Sequence, residues 1–234
     1  MRPTMLIFAH RGASGTEPEN TLRAIQVALD MDVAGIEIDI HEVDNILYVI
    51  HDRWLHRTTS GTGKITQHNA KYLQDLDAGL GERIPTLDEV LLLVAGKCII
   101  NIELKGISNI ELLFSYLDSA LENSPLILDN ILLSSFNHHL LYHINQQRPE
   151  FSIGALTSCI PLEYAKFATQ LNAYSIHVSV NFIDQALVDD AHKRGLKVFV
   201  YTVDELDDIK EMQALGVDGI FSNFPTRIKD VAPF

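Results

Sequence analysis

Short apolar runs alternate with amphipathic stretches along the whole chain. The runs at 5–9, 36–40, 47–50, 99–104, 131–135, 152–156, 174–177, 197–202 and 219–221 are mostly Ile, Val and Leu with little alternation. Strands buried on both faces read this way. Between them, helical periodicity covers 21–31, 87–95, 109–122, 138–147, 162–170, 184–193 and 205–215, with Gly195 and Gly216 where helix C-caps belong. Strand and helix recur about every 25 to 30 residues, which predicts a parallel sheet. Eight such units predict an α/β fold of the (β/α)8 TIM-barrel type, with an open doubly wound sheet as the alternative. The ninth strand is a surplus that a barrel must place elsewhere.

The segment 53–85 breaks the rhythm. It is polar and turn-rich, with Gly61, Gly63, Gly79, Gly81 and Pro85. A loop of this length within a barrel is usually functional. It is expected to be a small lobe inserted after the third strand segment, over the mouth of a single catalytic domain spanning 1–234.

Composition narrows the partners. The chain has 234 residues, 47% hydrophobic, with a net charge of −13. That acidity disfavours nucleic acid and anionic membranes, so a phosphate would need a local positive site or a metal ion. Cys98 and Cys159 form no spaced framework and are expected to be reduced, buried thiols. No apolar stretch is long enough for a signal peptide core or a membrane anchor, so a cytoplasmic location is the default expectation. The sequence leaves the oligomeric state open.

The unusual polar residues gather at strand ends, where barrel active sites lie. The first strand ends in AHRG, the second in EIDIH, the third in VIHD and the fourth in NIELK. Period-two alternation puts Glu37 and Asp39 on one face, and Asn101, Glu103 and Lys105 on one face of another strand. Three converging carboxylates, Glu37, Asp39 and Glu103, would repel without a shared cation, and all-oxygen ligation suits Mg²⁺ or Ca²⁺. A salt-bridged cluster with Arg11 and Lys105 is the structural alternative. Arg11 and Lys105 suit an anion beside the metal, and His10 and His51 suit an acid/base pair. Asn20, just ahead of a helix, is expected to be its N-cap.

Together the motifs HRG at 10–12, PENT at 18–21, EIDIH at 37–41, HD at 51–52, RTT at 57–59, IPTLDEVL at 84–91, IELK at 102–105 and DGIFSNFP at 218–225 resemble the glycerophosphodiester phosphodiesterase family. The resemblance implies a distorted (β/α)8 barrel that hydrolyses small glycerophosphodiesters to glycerol 3-phosphate and an alcohol. It implies Glu37, Asp39 and Glu103 as metal ligands, His10 and His51 as general acid and base, Arg11 and Lys105 on phosphate, and Glu19 at the site edge. Four positions depart from the family pattern. Asn45 stands where Gly is common, Tyr201 where Trp is usual, Asp204 where Asn often follows and Asn223 where Asp is frequent. Tyr201 and Asp204 are expected near the mouth, where they would bear on the leaving group. A phospholipase C- or D-like enzyme acting on intact lipid is the alternative reading.

The stretch EIDIHEVDNILYVIHD is expected to be a hairpin that absorbs the ninth strand. A two-residue loop at 44–45 would pair Ile38 with His51 and turn His51 away from Glu37. A three-residue loop at 43–45 would pair Glu37 with His51, and needs a left-handed residue at Asn45. The second arrangement, with positive φ at Asn45, is the expectation. Which histidine is acid stays open; His51 as base and His10 as acid is the working assignment.

Overall fold

The structure is a computed structural model, and it describes residues 5–229. Strand and helix alternate in the order β1 (Leu6–His10), α1 (Leu22–Asp30), β2 (Gly35–Val43), β3 (Ile46–Val49), α2 (Ala70–Gln74), α3 (Leu87–Val94), β4 (Ile99–Gly106) and α4 (Ile110–Asn123). They continue as β5 (Ile131–Ser135), α5 (His138–Gln147), β6 (Ser152–Thr157), α6 (Lys166–Gln170), β7 (Ser175–Ser179), α7 (Gln185–Lys193), β8 (Lys197–Tyr201), α8 (Leu206–Leu215), β9 (Gly219–Ser222) and α9 (Thr226–Lys229). β1 pairs in parallel with both β9 and β2, and this closes the sheet. Eight parallel strands form the barrel, while β3 lies outside it, antiparallel to β2. The fold is the predicted (β/α)8 barrel.

Two apolar layers hold it. Residues such as Ile25, Val90, Leu113, Leu141, Leu187 and Ile209 turn from the helices onto the outward strand residues, all fully buried. Inside the barrel, Phe8, Leu132, Phe199 and Phe221 form a separate plug, with Phe8 ring centroids 5.1 and 5.0 Å from those of Phe199 and Phe221. His177 leans on this plug, in space that Gly154 leaves open: a Cβ there would lie 2.4 Å from the ring. The plug closes the barrel below the level where polar strand ends gather.

Several boundaries differ from the sequence reading. The helix expected over 162–170 begins only at Lys166, because Tyr164 sits at φ 49 and breaks the approach. Asn20 is not the cap of α1. Thr21 is, its hydroxyl accepting from Ala24 N at 3.2 Å, while Asn20 sits at φ 59 and turns inward. Gly216 does cap α8 at φ 78.

The hairpin adopts the register that was not expected. Val43 pairs with Ile46 and Ile40 with Val49, so the loop is the two residues Asp44 and Asn45. Both have positive φ, 53 and 59, the pattern of a type I′ turn whose twist matches its strands. Positive φ at Asn45 holds; the three-residue loop does not. Asp is among the residue types that tolerate the left-handed region, and the Asp44 carboxylate also ties the turn to the inserted segment, accepting from Ala70 N at 2.9 Å. The outer face of the hairpin is apolar for a reason the barrel does not supply. Val43, Tyr48 and Ile50 pack on Leu55, Ile65, Leu73, Leu76, Ala78 and Ile84, so the segment 53–85 has its own small core seated on the hairpin.

Candidate active site

At the end of β1 the chain turns at once: Arg11 has φ 59 and Gly12 φ 74. A Cβ on Gly12 would lie 2.7 Å from the Ala24 backbone, so glycine is required on both counts. The turn leaves His10 and Arg11 at the mouth and aims the Arg11 backbone N–H at Glu37 Oε2, 3.0 Å away.

Strand register brings the carboxylates together. His10 lies beside Glu37 across β1 and β2, and Asp39 beside Glu103 across β2 and β4. Glu37, Asp39 and Glu103 are all buried, and one oxygen from each falls within 4.8 Å of the others. Asp39 is well served: Arg11 Nε and Lys105 Nζ each lie 3.3 Å from it, and Asn20 Nδ2 donates at 2.9 Å. Lys105 Nζ also meets Glu103 Oε1 at 2.5 Å. Glu37 Oε1 has no hydrogen-bond partner among the described residues.

The charge states follow this arrangement. Burial alone would raise Asp39, but Lys105 and Arg11 outweigh it and hold the carboxyl below the usual range. Glu37 is pushed well up by burial, then by Asp39 and Glu103. Burial and Asp39 likewise push Glu103 up to about 7. Two cations serve three carboxylates: Arg11 and Lys105 both reach Asp39, Lys105 also reaches Glu103, and Glu37 is left without a paired Arg or Lys among the described residues. The salt-bridged alternative therefore accounts for Asp39 but not for Glu37. An orphaned buried carboxylate oxygen within a three-carboxylate cluster fits a hard divalent cation.

Two histidines, His10 and His51, share a cavity with this cluster. His10 Nδ1 lies 2.7 Å from Asn223 Oδ1, and its Nε2 lies 4.0 Å from Glu37 Oε2. Burial, with Arg11 beside it, lowers the His10 pKa to about 4. His51 Nδ1 donates to Asp52 Oδ1 at 2.6 Å. His51 reaches the mouth despite the register, because β3 ends at Val49 and the last ladder bond is Ile50 N to Asp39 O at 2.9 Å. Beyond that point His41 takes over, donating from Nε2 to the His51 carbonyl at 3.0 Å.

His10, Arg11, Glu37, His51, Glu103 and Lys105 line a cavity of about 220 Å³ together with Phe136, Leu156 and Tyr201. Tyr201 packs edge-on to Phe136 at 6.0 Å and donates its hydroxyl to the Thr157 carbonyl at 2.9 Å. A larger open groove of about 470 Å³ lies on the outer surface by Leu91, Leu92, Tyr116 and Ala120, and none of the strand-end polar residues reach it.

The Glycerophosphoryl diester phosphodiesterase family matches residues 10–227. The chain belongs to that family. It is 37% identical to a glycerophosphodiester phosphodiesterase of Caldanaerobacter subterraneus subsp. tengcongensis, over 94% of each chain. It is 33% identical to one from Bacillus altitudinis, covering 94% of this chain and 95% of that one. A phosphodiesterase of Oleispira antarctica, solved in complex with the product sn-glycerol-3-phosphate, superposes with a TM-score of 0.88 at 30% identity, covering 97% of this chain and 96% of that one.

The candidate metal, acid/base and phosphate residues gather at this mouth, and Glu19 joins them through Arg11. Glu19 accepts from Arg11 Nη1 at 2.9 Å and from Arg57 at 2.7 and 2.8 Å. Arg57 also holds Asp52, keeping that carboxyl far below its usual range with help from His51. A chain of charges thus runs from Arg11 through Glu19, Arg57 and Asp52 to His51. Arg57, Asp52 and His41 were not singled out for a role, although HD and RTT are family motifs. His192, by contrast, pairs with Asp218 at 2.8 Å, just ahead of β9 at the opposite end of the barrel.

Proposed function

We propose that this protein hydrolyses small glycerophosphodiesters to glycerol 3-phosphate and an alcohol, with Mg²⁺ or Ca²⁺ as cofactor and His10 and His51 as the acid/base pair. The observation that carries the reading is the buried carboxylate cluster with an unpartnered oxygen on Glu37, set between two cations and two imidazoles in one cavity. Glu37, Asp39 and Glu103 would hold the ion. When bound, it would polarise a phosphate oxygen and make a nearby hydroxyl easier to deprotonate.

The remaining work falls to the side chains. Arg11 and Lys105 offset the negative charge that gathers on phosphorus. One ring takes the proton of the glycerol 2-hydroxyl as it attacks, and the other protonates the departing alkoxide. Water then opens the cyclic phosphate ester. Each ring returns in this second step what it gained or lost in the first, which leaves the enzyme unchanged. The segment 53–85 acts as a lobe that sets leaving-group choice, together with Tyr201 and Phe136 in the cavity lining. The reading places the enzyme in the cytoplasm, where free cysteines are unexceptional; Cys98 is buried as expected, whereas Cys159 is exposed.

The test is glycerol 3-phosphate release from a panel of soluble glycerophosphodiesters, with and without chelator. Turnover should vanish with chelator and return with Mg²⁺ or Ca²⁺. His10→Ala and His51→Ala should each cost about 10² to 10⁴ in rate while folding normally. Full activity in excess chelator, with no retained metal, would remove the cofactor assignment.

A further inference from the structure

Two of the departures from the family pattern, Asp204 after β8 and Asn223 after β9, touch each other, and Asn223 touches His10. Asp204 Oδ1 accepts from the Asn223 backbone N–H at 2.8 Å and from the Ser222 hydroxyl at 3.0 Å. Asp204 Oδ2 accepts from Asn223 Nδ2 at 2.6 Å. A carboxylate has no proton to give, so the amide NH₂ of Asn223 must face it. The amide oxygen is left pointing at His10 Nδ1, 2.7 Å away. An amide oxygen only accepts, so the proton of the neutral ring sits on Nδ1 and the lone pair on Nε2.

Ser14 shows that this orientation is imposed. Its hydroxyl has one proton and two acceptors, the His10 carbonyl at 2.6 Å and Asn223 Oδ1 at 2.8 Å. With the amide turned over, Nδ2 would donate to Ser14, and the hydroxyl would be free to serve the carbonyl alone. Ser14 therefore favours the reverse orientation. Asp204 opposes it, since a flipped amide would set oxygen against oxygen at the 2.6 Å contact.

We propose that Asp204 is a positioning residue for the reaction: acting through Asn223, it fixes the His10 tautomer and so makes Nε2 the nitrogen that handles the proton. Nε2 is the atom on the carboxylate side of the ring, 4.0 Å from Glu37. The proposal rests on the role given to His10 above, but its structural half can be read without turnover.

The experiment is a two-bond ¹H–¹⁵N correlation spectrum of the ¹⁵N-labelled protein at pH 7.5, with the His10 signals assigned by their loss in His10→Gln. The parent should show a protonated Nδ1 and a bare Nε2. Asp204→Asn keeps the shape but offers an NH₂, which lets Asn223 turn over, so the ring should switch to the Nε2–H form. In that variant kcat should fall by about 10²-fold, the low end for a misplaced general acid or base, with KM little changed. The double variant Asp204→Asn with Asn223→Asp puts a carboxylate on Nδ1–H, and should restore both the tautomer and most of the rate. A parent ring already in the Nε2–H form, or an Asp204→Asn ring still protonated at Nδ1, would overturn the proposal and leave the role of His10 untouched. A switched tautomer with unchanged kcat would instead overturn the catalytic role of His10, and with it the claim that Asp204 serves the reaction. If Asp204→Asn fails to fold, the parent and double-variant spectra still decide the tautomer.

Discussion

Arg57, on the segment between β3 and α3, grips Glu19 with both terminal nitrogens, at 2.7 and 2.8 Å. Its Nε holds Asp52, the partner of His51. One guanidinium thus steadies the groups behind Arg11 and behind His51. Lysine cannot reproduce this fork. Arg57 is half-exposed, so solvent screening limits the stability cost of Arg57→Lys to about 1 kcal/mol or less. We expect kcat/KM to fall on the order of 10-fold while the urea midpoint barely moves, since the loss is of orientation. A large loss of stability with normal activity in the folded fraction would show that Arg57 only pins the lobe.

Glu103 offers a test of the metal site that does not depend on turnover. Its carboxyl is pushed up to about 7 in the metal-free protein, by burial and by Asp39. The folded form keeps a proton that the unfolded form loses near pH 4.5. The contribution is harmless below that pH, and stability is lost as the pH climbs toward 7. At pH 8 in EDTA, Glu103→Gln should therefore melt higher than the parent, by an amount on the order of 1 kcal/mol in stability. Adding Mg²⁺ or Ca²⁺ should raise the melting temperature of the parent and leave the variant nearly unmoved. A parent indifferent to both ions would count against the site.

The barrel and the carboxylate cluster were legible in the sequence because each rests on a rule of short range. Buried parallel strands give apolar runs, and period-two alternation places Glu37 with Asp39 and Asn101 with Glu103. What was not legible depends on groups distant in sequence. Asn20 reads as a cap by position, yet it faces Asp39, because Thr21 already caps α1. His41 falls on the carboxylate face of β2 by alternation, but its partner, the His51 carbonyl, lies past the end of the ladder. The three-residue hairpin loop follows only if the ladder runs on to His51; pairing ends at Val49, so the direction of His51 is not set by the register. The contact between Asp204 and Asn223 joins the ends of two strands and leaves no periodic trace.

His177 should leave a mark on the pH dependence of stability. It is 1% exposed, and burial lowers its pKa to about 3. Below pH 6.5 the unfolded chain takes up a proton there that the folded chain refuses. Stability is then lost as the pH falls, by about 1.4 kcal/mol per pH unit. Between pH 7.5 and 5, the parent should lose about 2 kcal/mol more than His177→Gln in paired urea titrations. Parallel curves for the two proteins would mean that the plug admits the charged ring.

The last prediction separates what forms the hairpin from what places His51. Asp44 and Asn45 are both left-handed, so Asn45→Gly should be neutral or slightly stabilising, and Asn45→Val should cost about 1 to 2 kcal/mol. Neither should change kcat in the folded fraction, because His51 lies beyond the last paired residue, Val49. His41 is different. It is buried, and its Nε2 donates to the His51 carbonyl at 3.0 Å. Its Nδ1 would lie 2.5 Å from a Cβ on Gly106, so the ring is closely packed and a planar replacement is called for. His41→Phe keeps the ring and removes the donor. A buried carbonyl left unpaired costs about 1 to 3 kcal/mol, and the strand end that carries His51 is the part free to move in response. We expect kcat to drop on the order of 10-fold in His41→Phe, a displaced general acid or base being worth up to about 10² to 10⁴. His41→Gln, which can still donate, should keep more of the rate. If Asn45→Val proved the more damaging to kcat, the ladder rather than His41 would be what places His51.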